Sequence, residues 1–126
     1  KAAGTKPVSK LELDVWFAKI QAEHFGEFFG VCTECGAKIY NQYSRHAIAH
    51  LLPKKLFKSV ATHPMNILIL GAGCGCHEKK HRVDKFITMR VWPEAARRIK
   101  AMIPSLPFDE LKYLSSQLLT ALDKAP

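Results

Sequence analysis

The chain has 126 residues, 48% hydrophobic and 24% charged, which is the composition of one globular domain with a modest core. No apolar run approaches the ~20 residues that cross a bilayer, the longest being the strand-length stretch from Ile67 to Ala72, so no membrane partner is expected. Nineteen Lys and Arg against eleven Asp and Glu leave a net charge of +8 with histidines neutral, which favours a polyanionic partner, nucleic acid first.

In chain order, residues 1–8 read as a flexible lead containing Gly4 and Pro7, and no secretory signal is visible, although the chain does not begin with Met. Residues 9–126 read as a single domain. Ser9 followed three residues later by Glu12 forms a capping box, and Leu13, Trp16, Phe17 and Ile20 recur at helical spacing, so a helix with one buried face runs from Ser9 towards Gly26 and Gly30. Residues 31–36 then form a tight turn that aims two cysteines at one point. Residues 38–43 read as a polar, partly aromatic connector. Residues 46–52 are apolar enough for a strand, stopped by Pro53.

A loop carrying Lys54, Lys55, Phe57 and Lys58 follows, and residues 66–70 read as a second strand ended by Gly71-Ala72-Gly73. Residues 76–83 contain good helix formers and suggest a short helix. Trp92-Pro93 opens another, with Pro in its favoured first turn and Ala96, Ile99 and Ile103 as the apolar stripe. Pro104 and Pro107 end it. Asp109 and Glu110 load the first turn of a last helix whose inward face is Leu111, Leu114, Leu118 and Leu122.

Four cysteines fall as Cys32-x-x-Cys35 and Cys74-x-Cys76, and such paired close spacings favour a metal over disulfides. Four thiolates in tetrahedral geometry suit a structural zinc. The irregular second spacing leaves open that another group replaces Cys74 or Cys76. His77 and His81 are four apart, so on a helix their imidazoles share one face and can close on one ion. His50 precedes the Leu51-Leu52-Pro53 corner, and an imidazole is suited to deprotonating water near neutral pH.

The order His50, Asn66, His77 resembles the HNH (ββα-metal) endonuclease family, in which a His ends the first strand, an Asn lies near the second and a His opens the helix. The resemblance covers residues 31–82, and the cysteine pairs match the zinc knuckle that many members add. It implies an α+β fold: a ββα-metal core at 31–82 embedded among flanking helices, with C-terminal helices at 92–124. It also implies a metal-dependent DNA endonuclease, bacterial or phage-encoded and cytoplasmic, with RNA as an alternative substrate.

On that resemblance His50 activates water. Asn66 binds the metal or braces the loop that presents the base. His77, with His81, holds a divalent ion (Mg2+, Mn2+ or Zn2+), while Cys32, Cys35, Cys74 and Cys76 hold zinc. Lys54, Lys55 and Lys58, with Lys79, Lys80 and Arg82, flank the cleft as phosphate contacts, whereas Arg97, Arg98 and Lys100 read as a solvated face.

One departure matters. Most members carry an Asp or His ligand just before the base, and here that residue is Ala49. His46, two strand steps from Ile48 and on the same side as His50, or else His63, is the candidate replacement; alternatively phosphate and water complete the shell, or the site has lost activity. Two rival readings follow: a catalytically inactive zinc-binding nucleic-acid module, and a protein-interaction domain that docks a partner on its terminal leucine face.

Overall fold

A computed structural model describes residues 8–125 as an α+β arrangement of helices and two small antiparallel sheets. The expected lead therefore falls almost wholly outside the described residues.

Helix α1 spans Lys10–Phe25, and its start follows the capping logic in full: the Ser9 hydroxyl accepts from the Glu12 amide while the Glu12 carboxylate accepts from the Ser9 amide. Phe17, Ile20 and Phe25 are its buried residues, with Leu13 and Trp16 half-buried against the same core. The helix ends at Gly26, whose φ of 55° is a conformation L side chains rarely adopt. Gly30 is a packing requirement, because an added Cβ would sit 2.7 Å from the His24 carbonyl oxygen.

Strands β1 (Phe29–Val31) and β2 (Lys38–Tyr40) form the first antiparallel pair, with Phe29 opposite Tyr40 and Val31 opposite Lys38. The segment expected to be a connector is thus half of a hairpin. Its inward side chain, Ile39, is buried, while Lys38 and Tyr40 face solvent. A three-residue strand with one apolar inward residue leaves too short an alternation to register as one.

The segment expected as a single strand over 46–52 divides. Helix α2 covers Ser44–Ala47 and strand β3 covers only Ile48–Ala49, paired antiparallel with β4 (Leu68–Ile69). A short continuous apolar run carries no period that separates strand from helix, and here its first part forms a helical turn packed against α1 and β2. His46 therefore lies on a helical turn, and the two-step strand argument that placed it beside His50 does not hold.

Helix α3 (Cys76–Lys80) follows β4, and α4 (Val83–Phe86) follows α3, so the expected helix over 76–83 is also two pieces. Helix α5 (Trp92–Met102) buries Ala95, Ala96, Ile99 and Met102 along one face. The final segment is α6 (Phe108–Leu111) and α7 (Ser116–Lys124) rather than one helix, because the Ser115 hydroxyl caps a new start by accepting from the Leu118 amide at 3.0 Å. Of the four leucines assigned inward, Leu122 is buried, Leu114 and Leu118 are half-buried and Leu111 is exposed.

The core is one cluster joining α1, both sheets, α5 and the end of α7. Two polar ties fix the C-terminal helices to it. The Glu34 carboxylate accepts from the Arg90 and Val91 amides at 2.9 and 3.0 Å, and Glu110 accepts from the Ser59 amide and hydroxyl at 3.1 and 2.6 Å.

Candidate functional site

The four cysteines converge. Cys32 and Cys35 stand in the β1–β2 turn, Cys74 and Cys76 around the start of α3, and their sulfurs all lie within 4.8 Å of one another. Cys32 and Cys74 sulfurs are 3.8 Å apart, which matches the spacing of about 3.8 Å that a tetrahedral ion with metal–sulfur bonds of ~2.3 Å imposes. All four thiols are free, Cys32 and Cys76 buried and the other two exposed. Gly71 is shaped to this cluster: an added Cβ would fall 2.7 Å from the Cys74 sulfur.

The electrostatics favour a cation. Burial opposes ionisation of Cys32, but the backbone amides of Gly71, Cys35 and Glu34 outweigh it and bring the thiol down to about 7. Burial and the neighbouring thiols push Cys76 the other way, well above the ordinary range. Four thiolates this close cannot ionise together without positive charge between them, so the donor set fits a structural metal such as zinc.

The cluster locks two elements together. The Cys32 amide donates to Ala37, closing the turn; the Thr33 amide donates to the Ile69 carbonyl at 2.8 Å, joining the turn to β4; and the His77 amide donates to Gly71. Through these bonds the antiparallel β3–β4 pair, the glycine turn and α3 become one unit.

His50 follows β3 and is 8% exposed. Its Nε2–H donates to the Ala61 carbonyl at 2.8 Å, so the unshared pair of the neutral ring is on Nδ1. Trp16 and Phe17 wall the ring, with centroids 5.0 and 5.9 Å away. Burial, reinforced by the charges of Lys54, Lys80 and His77, pulls its pKa from 6.5 down to about 4 despite the Ala61 bond. A neutral imidazole at physiological pH is the outcome.

Asn66 is fully buried, and its amide binds backbone alone. Oδ1 accepts from the Leu52 amide at 2.7 Å, and Nδ2 donates to the Leu52 and Val60 carbonyls at 3.0 Å each. It closes the loop between β3 and β4 on itself, just beyond His50. The neighbouring His63 is occupied locally, its Nδ1 accepting from the Met65 amide at 3.1 Å.

His77 and His81 stack with ring centroids 5.3 Å apart and planes 20° from parallel. His77 Nδ1–H donates to the His46 carbonyl at 2.6 Å, which leaves the Nε2 pair of His77 free. An orienting backbone carbonyl of this kind fixes the tautomer of metal-binding imidazoles. His46 thus contributes its backbone, and its own ring is exposed. Among the described residues the four cysteines form the only cluster of three or more His, Cys, Asp or Glu side chains close enough to share an ion, and His46, His77 and His81, expected to hold a second one, are not in it.

Lys80 departs from the expectation of a phosphate contact on the surface. It is 6% exposed, burial lowers its pKa to about 8, and no carboxylate pairs with it among the described residues. Lys55, Lys58, Lys79 and Arg82 are exposed, Arg82 lying 3.5 Å from Asp84, and Lys54 is half-buried with its ammonium 5.9 Å from the Phe17 ring. The aromatic wall of His50 and the burial of Lys80 were not legible in the sequence, since both depend on which way a helix face turns.

Comparison with protein-family models, with curated proteins and with solved structures finds no match to this chain.

Proposed function

We propose that this chain is a metal-dependent DNA endonuclease of the HNH (ββα-metal) kind, stiffened by a cysteine-bound zinc. The observation that carries the proposal is a pair of imidazoles held in complementary tautomers. His50 keeps its Nδ1 pair free while Nε2–H is fixed on Ala61, and His77 keeps its Nε2 pair free while Nδ1–H is fixed on His46. The first offers an open acceptor nitrogen, weakened as a base by the burial that lowers its pKa to about 4, and the second an open nitrogen for a cation.

The succession of β3, β4 and α3 supports the same reading. A divalent ion (Mg2+, Mn2+ or Zn2+) held by His77 and His81, with phosphate and water as its remaining ligands, would neutralise charge on the phosphate and the departing 3′ oxygen. His50 removes a proton from water through Nδ1. The water oxygen bonds to phosphorus, the bond from phosphorus to the 3′ oxygen breaks, and the 3′ oxygen takes a proton from solvent. Asn66 keeps the loop beyond His50 closed, and Lys54, Lys55, Lys58, Lys79 and Arg82 bring positive charge for the backbone phosphates.

Nicking of supercoiled plasmid in Mg2+ or Mn2+ tests this. His50→Ala, and His50→Gln as the variant of similar size, should each lower the rate by roughly 100-fold or more. Equal rates for native and variant chains would remove the nuclease reading. They would select instead an inactive zinc-binding nucleic-acid module, which Ala49 favours because it supplies no ligand beside His50.

A further inference from the structure

Beside the His46 turn lies a groove of about 510 Å³, lined by residues of the β1–β2 hairpin, by Tyr43 and His46, and by residues 71–74. Its polar side chains are Lys38, Tyr40, Tyr43, His46 and Cys74 of the cysteine cluster, and among the described residues no carboxylate lines it. Tyr40 and Tyr43 are 57% and 54% exposed, and Phe29, the cross-strand neighbour of Tyr40, is 41% exposed. The Lys38 ammonium sits 4.8 Å from the centre of the Phe29 ring.

Single exposed aromatics are ordinary, but two tyrosines beside a lysine in one groove, with exposed Phe29 paired across the strand from Tyr40, are not. The groove offers two flat tyrosine rings beside one ammonium. We infer that this groove is a stacking platform for unpaired bases of single-stranded DNA. Rings of this kind bind the faces of bases and tolerate any sequence, whereas a duplex hides those faces in its own stack. The groove's positive charge, from Lys38, suits the connecting phosphates.

The placement deepens the nuclease proposal, on which it rests for its purpose though not for its binding. His46, which lines the groove, also holds His77 by its carbonyl, so the groove and the imidazole assigned to the ion share one turn of the chain. The substrate class that follows is DNA with an unpaired segment beside the cut: a flap, a gap or a melted site.

The test is binding rather than cleavage. Fluorescence anisotropy with a labelled oligothymidine and with a duplex of equal length is measured on the full chain, in buffer without Mg2+ or Mn2+. The native chain should prefer the single strand. The double variant Tyr40→Ala/Tyr43→Ala should weaken that binding roughly tenfold or more and leave duplex affinity unchanged, while Tyr40→Phe/Tyr43→Phe retains the native value. A preference for duplex, or an unchanged single-strand affinity in the alanine variant, would overturn the platform. If the platform stands while plasmid nicking is absent, the nuclease proposal fails alone; if nicking is present and the tyrosine variants bind as the native chain does, the platform fails alone.

Discussion

Asn66 and His50 carry the residue-scale argument, and both are defined by what surrounds them. Replacing Asn66 with Ala leaves the Leu52 amide and the Leu52 and Val60 carbonyls without their partner in a buried loop. Each stranded group costs about 1–3 kcal/mol, with partial relief from water, so Asn66→Ala should lose about 3 kcal/mol in denaturant unfolding and slow nicking as the loop beyond His50 loosens. An unchanged unfolding midpoint would contradict the bracing role.

The depressed His50 pKa sets a direction in pH. Between 6.5 and about 4 the unfolded chain takes up a proton at this ring that the folded chain refuses. The contribution of His50 to stability is therefore complete above 6.5 and is lost as pH falls towards 4. The base stays unprotonated over the same window, so the acid limb of the nicking rate should fall below 6.5, and a limb at or above 6.5 would show that His50 is not the group that titrates. Sequence alone identified both residues as candidates. It could not reveal the Ala61 carbonyl or the Trp16 and Phe17 walls, because these come from elsewhere in the chain.

Among elements, the hairpin and α3 depend most on the cysteine cluster. Strands β1 and β2 are three residues each, too short to hold a register by pairing alone. The cluster, with the Thr33–Ile69 bond, supplies what the strands lack. One zinc per chain should be found by elemental analysis. Its removal by a strong chelator should lower the melting temperature by at least about 10 °C, because closure of the site is coupled to folding. Cys76→Ala should do the same; a chain that neither contains zinc nor responds to chelation would exclude a structural metal. The cysteine spacing was legible from residue order alone. The hairpin was not, since an exposed-buried-exposed triplet bearing Tyr40 reads equally as a polar connector. The same limit explains 46–52, where a continuous apolar run became a helical turn and a two-residue strand once Ala47, Ile48 and Ala49 were all drawn inward.

At the scale of the whole molecule, the sequence by itself determined what local chemistry dictates. The first helix follows from its capping box and apolar period, α5 from Trp92-Pro93 and its stripe, and the cysteine cluster from paired spacings; the net charge follows by counting. Tertiary structure decided everything that depends on orientation. It turned Lys80 inward and left Lys79 outside, made the backbone of His46 rather than its ring the partner of His77, and set Phe29, Tyr40 and Tyr43 on an exposed face instead of in the core. The division has a physical cause. Propensity, capping and ligand type act over a few neighbouring residues, whereas burial and the free nitrogen of an imidazole are fixed by groups that only the packing of α1, both sheets and α5 brings together.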